Sequence, residues 1–205
     1  VVPSVTRDDL RDGGAGHFAA TVDAVRRAVP DAGIEGLVPD FLGETRSVEL
    51  VLGSRPDVFA HNVETVERLY GDVRSRADYG RSLSVLAHAD RGRQRPLIKS
   101  SLMLGMGETG AEVNETLLEI LDAGVDIVTL GQYLRPSAAH RPVARFLPPE
   151  EFKELGEAWL EMGFGWVSSG PFVRSSYRAE EAAAALGGSR GSSEPTTQEA
   201  EPDEN

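Results

Sequence analysis

The sequence predicts an α/β fold, a partial β/α barrel of the TIM type with parallel strands. Short apolar runs that end in turn residues alternate with longer segments of helical spacing, and this strand–loop–helix unit occurs five times before a last strand. The polar insertions follow the strands rather than the helices, which is where β/α barrels place the loops of their active sites.

Each element in the first half of the chain is assigned from its own pattern. Phe18, Val22 and Val25 recur at the spacing that places apolar residues on one face of a helix. A short apolar run ends at Pro39-Asp40, as a strand ends at a turn. The prediction is for strands at 1–6, 34–39 and 58–62 and for helices at 17–28, 45–52, 63–73 and 79–89.

The second half carries clearer patterns. Val113, Leu117, Leu118 and Leu121 are predicted to face inward from an amphipathic helix, and Gly124 to end it as a C-cap. Another helix starts with a proline and is followed by a glycine, the usual asymmetry of helix ends. The prediction is for strands at 96–104, 127–130 and 165–169 and for helices at 112–123 and 148–162.

Composition limits the classes of function. With 205 residues, 40% hydrophobic and 26% charged, the chain is long enough for one sizeable domain, assigned to residues 1–183. Residues 184–205 are predicted to form a disordered acidic tail, because Gly, Ser, Pro, Thr and Glu dominate there. The net charge of −12 argues against a nucleic-acid partner. No apolar run approaches the roughly 18 residues of a membrane span and no signal segment opens the chain, so we expect no membrane association and a cytoplasmic location.

The sequence contains no cysteine. This excludes disulfides, thiolate nucleophiles and cysteine-ligated zinc or iron–sulfur sites built from these 205 residues alone.

Residues that follow the predicted strands are candidates for a site, because the carboxyl ends of parallel strands meet at one rim of a barrel. These rim candidates are Ser4, Thr6, Arg7, Asp8, Asp9, Asp40, His61, Asn62, Lys99, Glu108, Gln132, Tyr133 and Arg135.

Three of these candidates have a structural alternative. His61 is either a functional group at the rim or a strand-end histidine that bonds a backbone carbonyl, and Asn62 suits a helix N-cap. Lys99 interrupts an apolar run, and because an unpaired buried ammonium is costly, it should meet a polar cavity, a carboxylate or a ligand. Both a Schiff-base lysine and a structural ion pair fit that position.

Two further segments combine turn residues with polar groups. Gly105-Met106-Gly107-Glu108-Thr109 is a glycine-rich turn in which the backbone can approach a ligand, and Glu108 favours a cationic group such as an amine over a phosphate. The alternative to ligand binding is a structural role for this segment, in which Thr109 or Glu112 caps the following helix. In residues 170–177, a Gly-Pro turn leads to Arg174, Ser175, Ser176 and Tyr177. This segment is either a surface strand end or a functional segment whose side chains donate hydrogen bonds or ligate a metal.

Taken together, these segments resemble the lipoyl synthases, a family of radical S-adenosylmethionine enzymes. The order and spacing match the family from residue 1 to about residue 183. The resemblance is carried by the segments 4–18, 37–41, 58–66, 99–109, 129–137 and 170–177.

The resemblance implies a partial β/α barrel, S-adenosylmethionine and two 4Fe–4S clusters. It implies insertion of two sulfur atoms at C6 and C8 of an octanoyl chain held on a lysine of a lipoyl carrier domain or of the glycine cleavage H protein. Iron–sulfur assembly proteins are implied as further partners. An inert methylene C–H bond requires such cofactors, because no side chain attacks it.

Residue roles follow from the same resemblance. Ser176 is implied as the serine ligand of the auxiliary cluster, with Arg174 beside it. Glu108 is implied to recognise the methionine amine, with Gly105 and Gly107 giving access. The weaker assignments, to the cofactor or to the octanoyl pocket, are His61, Asn62, Lys99 and Gln132.

The chain departs from the family at its start, since the family's two cysteine triplets and first strand and helix would precede Val1. We therefore expect an N-terminally truncated lipoyl synthase that is inactive alone. Two alternatives stay open. The first is a non-catalytic module that binds the lipoyl carrier domain, and the second is a barrel enzyme that uses Lys99 as a nucleophile.

Overall fold

In the computed structural model, which describes residues 1–91 and 95–187, six parallel strands form one sheet in chain order. Each strand pairs with the next, from β1 to β6, and no pairing among the described residues joins β6 back to β1. The sheet is therefore open, and the predicted partial β/α barrel with parallel strands is confirmed. The strands are β1 Val2–Pro3, β2 Glu35–Leu37, β3 Val58–Ala60, β4 Leu97–Leu104, β5 Ile127–Gln132 and β6 Trp166–Ser169.

The helices that connect the strands cover the outer face of the sheet. In α5 the inward residues include Val113, Leu117 and Ile120, whereas Leu118 is 52% exposed, so its predicted inward orientation is wrong. The helices are α1 Ala15–Ala28, α2 Thr45–Gly53, α3 Tyr70–Val73, α4 Tyr79–Ala89, α5 Gly110–Asp122, α6 Pro149–Met162 and α7 Ala179–Gly187. None of these helices is long and apolar enough to cross a membrane.

The two faces of the sheet belong to different apolar clusters, because successive side chains of a strand point to opposite faces. Phe59 and Ile98 pack into the main core with the outer helices. Their neighbours Val58 and Leu97 point inward and form a smaller cluster with Ala182 of α7. The helix α7 therefore lies on the inner face of the sheet.

The helix predicted at 63–73 is wrong in its first part. Glu64 forms an isolated parallel bridge to Leu102, with its amide nitrogen 2.8 Å from the Ser101 oxygen and its own oxygen 2.9 Å from the Met103 amide nitrogen. These pairings hold Glu64 beside β4, and helical structure starts only with a 3₁₀ turn at Glu67–Leu69.

The C-terminal end of the described chain is helical. Residues 184–187, predicted as the first part of the acidic tail, are the last residues of α7. The rest of the predicted tail, residues 188–205, lies outside the described residues.

Candidate functional site

The carboxyl ends of the strands bring several of the predicted rim residues together. Thr6 and Asp8 follow β1, Asp40 follows β2, and these three line a cavity of about 290 Å³ together with Arg74. Asp40 is buried, and its Oδ2 accepts a hydrogen bond from Arg81 Nη1 at 3.2 Å. The carboxylates of Asp8 and Asp40 and the guanidinium of Arg74 give this cavity both signs of charge.

His61 does not open to this cavity. It is 1% exposed, its Nδ1 lies 2.9 Å from the Val38 oxygen and its Nε2 lies 2.9 Å from Ser82 Oγ. Burial lowers the pKa of the imidazole to about 4, so the ring is neutral at neutral pH. Of the two alternatives for His61, the structure shows the bond to a backbone carbonyl, with both ring nitrogens used inside the chain.

The hydrogen bonds around His61 have a fixed direction. A carbonyl only accepts, so Nδ1 carries the proton and Nε2 accepts from the Ser82 hydroxyl. Ser82 in turn accepts from Tyr70, whose hydroxyl lies 2.6 Å away and itself accepts from Arg74 Nη1 at 2.7 Å. The buried histidine is thereby connected to the guanidinium that lines the rim cavity.

Asn62 is not a helix N-cap, because no helix starts directly after it. Its Nδ2 donates to Glu64 Oε1 at 3.1 Å, and Arg74 Nη1 donates to its backbone oxygen at 2.8 Å. Its Oδ1 is buried and receives no hydrogen bond from the described residues. An acceptor without a donor at the rim suits a ligand that carries an N–H or O–H group.

Glu64 is a rim residue that the sequence reasoning missed. Its φ of 72° is left-handed, which a non-glycine residue adopts at a cost, and burial raises the pKa of its carboxyl group. Strained backbone of this kind is concentrated at functional sites. The residue pattern around Glu64 predicted a helix, so it did not indicate a left-handed residue at the rim.

The glycine-rich turn is held together by its own acid. Glu108 accepts hydrogen bonds from the amide nitrogens of Gly105, at 2.5 Å, and Met106, at 2.8 Å. Gly105 and Gly107 each have a φ of 101°, which favours glycine. The Glu108 carboxylate is therefore engaged with the turn, and a methionine amine would have to share its oxygens.

Gln132 secures the neighbouring loop to this turn. Its Nε2 donates to the oxygens of Arg145, at 3.0 Å, and Tyr133, at 3.1 Å, while its Oε1 accepts from the Leu147 amide at 3.0 Å. The side chain is buried. These bonds use both ends of the amide, which makes Gln132 a structural residue in this structure.

Lys99 lies away from the rim, as the third residue of the eight-residue strand β4. Its Nζ is 2.8 Å from Glu35 Oε2, and the two side chains are 2% and 6% exposed. The predicted carboxylate partner is thus Glu35, which the sequence reasoning did not select. Its signal was present, since Glu35 is an acidic residue inside a short apolar run assigned to a strand.

Ser176 and Arg174 lie on the surface between β6 and α7. Arg174 Nη1 donates to the Val173 oxygen at 2.6 Å. Ser176 makes no side-chain hydrogen bond within the described chain and lines a cavity of about 790 Å³ that it shares with Glu35 and Val58. The hydroxyl is therefore free and accessible.

The side chains do not fit an iron–sulfur cluster by themselves. The sequence has no cysteine, and the described residues contain no group of three or more His, Cys, Asp or Glu placed to hold a metal ion. Ser176 offers one hydroxyl oxygen, whereas such clusters are held by several ligands, mostly thiolates.

The relatives found by sequence comparison are lipoyl synthases. The chain is 56% identical over 182 residues to the lipoyl synthase of Thermus thermophilus, covering 88% of this chain and 56% of that protein. It is 53% identical to the lipoyl synthases of Deinococcus radiodurans and Methanocella arvoryzae, each over 88% of this chain and over 55% and 62% of the relatives. The chain thus spans little more than half the length of the curated relatives it matches.

The fold is similar to that of a solved structure. Methylornithine synthase (PylB) superposes with a TM-score of 0.53 at 15% identity, over 78% of this chain and 54% of that chain. No family model matches. The sequence identities confirm the predicted resemblance: the chain is related to the lipoyl synthases.

Proposed function

We propose that these residues form the barrel part of a lipoyl synthase, which inserts two sulfur atoms at C6 and C8 of an octanoyl group held on a carrier-protein lysine. The observation that carries the proposal is the identity of 56% over 182 residues to one such enzyme. The matched residues make up 88% of the chain. The carrier would be a lipoyl domain or the glycine cleavage H protein, and iron–sulfur assembly proteins would supply the clusters.

The cofactors would be S-adenosylmethionine and two 4Fe–4S clusters, which supply the radical and the sulfur. Ser176 supports a ligand role because its hydroxyl is accessible and unbonded beside a cavity. A serine oxygen is a harder ligand than a thiolate and suits a position that has to exchange. Asn62, with its free Oδ1, is a better candidate for a cofactor contact than His61 or Gln132, whose polar atoms are used within the chain.

Without cysteine, these 205 residues would not hold the clusters, so we infer that they do not catalyse the reaction on their own. The decisive test is a chimera in which the 182 matched residues of the Thermus thermophilus enzyme are replaced by those of this chain. After reconstitution with iron and sulfide, we expect the chimera to form lipoyl groups on an octanoylated carrier domain.

Two adjacent serines provide a matched control for the chimera. Ser176→Ala should abolish lipoyl formation and lower the bound iron, while Ser175→Ala should retain both. An inactive but folded chimera, or equal activity of the two variants, would contradict the proposal.

The absence of cysteine also favours a second candidate, a non-catalytic module that binds the lipoyl carrier domain. Capture of the octanoylated carrier by the 205-residue chain, compared with capture of the unmodified carrier, tests it. No capture by folded chain would count against it.

A further inference from the structure

The cavity beside Ser176 lies between the inner face of the sheet and α7, and its wall is part apolar and part acidic. Val58 and Ala183, which belong to the inner cluster, form apolar surface, and Glu35 lies beside them at the start of β2. The volume of about 790 Å³ is in the range of a small-molecule site. The other acidic residues of the wall are Asp31, Asp57, Glu180 and Glu181.

Glu35 is the buried polar side chain of this wall whose hydrogen bonding is incomplete. It is 6% exposed, and its Oε2 is bound to Lys99 Nζ. Its Oε1 is buried and receives no hydrogen bond from the described residues. By comparison, Asp57 accepts from the Ile34 amide at 2.8 Å, and Glu181 is paired with Arg178. A buried acceptor without a donor is unfavourable, so a donor from a ligand would stabilise this site.

Charge determines which kind of donor suits Glu35. The Lys99 ammonium, 2.8 Å from Oε2, already balances the Glu35 carboxylate, so a second cation at Oε1 would lie close to the first and be repelled by it. A neutral N–H donor has no such penalty. The apolar surface beside the carboxylate suits an alkyl chain, so an alkyl group joined to an N–H matches both parts of the wall.

We propose that Glu35 is a ligand-binding residue whose Oε1 accepts the N–H hydrogen bond of a secondary amide that carries an alkyl chain. The alkyl chain lies along Val58 and Ala183. The identity of the natural ligand rests on the proposed function, since an octanoyl group on a lysine is a secondary alkyl amide. No bond forms or breaks at Glu35, so its effect is on affinity.

Calorimetric titration of the 205-residue chain with two amides tests this inference. N-Methyloctanamide has one N–H group, and N,N-dimethyloctanamide has the same acyl chain and none. We expect the secondary amide to bind about tenfold or more tightly, which is the effect of one hydrogen bond to a charged group. Equal affinity for the two amides, or no binding of the secondary amide to folded chain, overturns the proposal.

Two variants assign the preference to Glu35. The double variant Glu35→Met/Lys99→Met removes the acceptor together with its cation and should bind both amides equally. Glu35→Gln keeps an acceptor oxygen and should keep a preference of about threefold or more, as expected for a neutral hydrogen bond. Thermal unfolding verifies that each variant is folded. Retention of the full preference in the double variant would refute the role of Glu35, whereas the chimera assay does not depend on this preference and judges the proposed function separately.

Discussion

The Nε2 atom of His61 lies 2.9 Å from the hydroxyl oxygen of Ser82, and both residues are buried. Because that nitrogen accepts the Ser82 proton, a second proton on the ring would remove this acceptor and place a charge in the core. The structure therefore requires a neutral histidine.

We expect the free energy of unfolding to fall as the pH is lowered from 7 to 5. The pKa of His61 is lowered from 6.5 to about 4 in the folded chain, so the unfolded chain binds more protons in this window. By linkage the loss is about 2 kcal/mol at pH 5 and about 3 kcal/mol below pH 4. Urea unfolding at several pH values measures it. The slope should flatten in His61→Gln and persist in the exposed-loop variant His140→Gln; equal slopes in all three chains would refute the assignment.

The buried ion pair gives a second prediction. Lys99→Met leaves the Glu35 carboxylate buried without its cation, which should lower the free energy of unfolding by about 3–5 kcal/mol. Adding Glu35→Met should recover most of this loss. The only other lysine, Lys153, forms an exposed pair with Glu157 at 3.8 Å, so Lys153→Met should change stability by less than about 1 kcal/mol. A mild effect of Lys99→Met alone would show that the pair is not buried as described.

Gly105 should not tolerate a side chain. A Cβ atom there would lie 2.3 Å from both the Arg145 oxygen and Gln132 Nε2, and the φ of 101° is strained for alanine. We expect Gly105→Ala to destabilise the chain by about 2–4 kcal/mol in urea unfolding. Gly110, at the start of α5, has open space around it, so Gly110→Ala should be neutral or stabilising by up to about 1 kcal/mol. Similar losses in the two variants would contradict the geometry of the turn.

Thr109 caps α5 through a capping box with Glu112. Thr109→Ala removes the oxygen that accepts from the Glu112 amide at 3.3 Å, and thermal unfolding should show a loss of about 1 kcal/mol. Thr21, whose hydroxyl bonds the His17 oxygen within α1, provides the comparison. Thr21→Ala should stay within about 0.5 kcal/mol of the parent, and a loss as large as that of Thr109→Ala would argue against the cap.

Local patterns predicted the regular part of the fold. The strand predicted at 96–104 is β4 at Leu97–Leu104, and the helix predicted at 112–123 is α5 at Gly110–Asp122. Both segments have a regular pattern of apolar residues and a clear signal at their ends. The first part of the helix predicted at 63–73 is wrong because the bridge from Glu64 to Leu102 joins residues far apart in sequence. No pattern within 63–73 reports that contact.

The sequence predicted where the candidate site lies better than it predicted what each of its residues does. The carboxyl ends of the strands were correctly identified as one rim, and Thr6, Asp8 and Asp40 do meet there. The engagement of His61 with Ser82, and of Gln132 with the loop around Arg145, depends on packing that no residue pattern reveals. Lys99 was recognised as needing a partner, but the choice of Glu35 required the sheet register.

The order of the strands has a consequence for synthesis on the ribosome. Each strand lies beside the one made just before it, so the sheet can grow by adding neighbours as the chain emerges. The helix α7 is made after all six strands, yet it covers Val58, Leu97 and Ile127 on the earlier ones. In a ribosome complex stalled shortly after β6, the inner face of the sheet, including Lys99 and Glu35, would therefore still be exposed to solvent. We expect binding of the nascent chain to chaperones to be greatest at that stage.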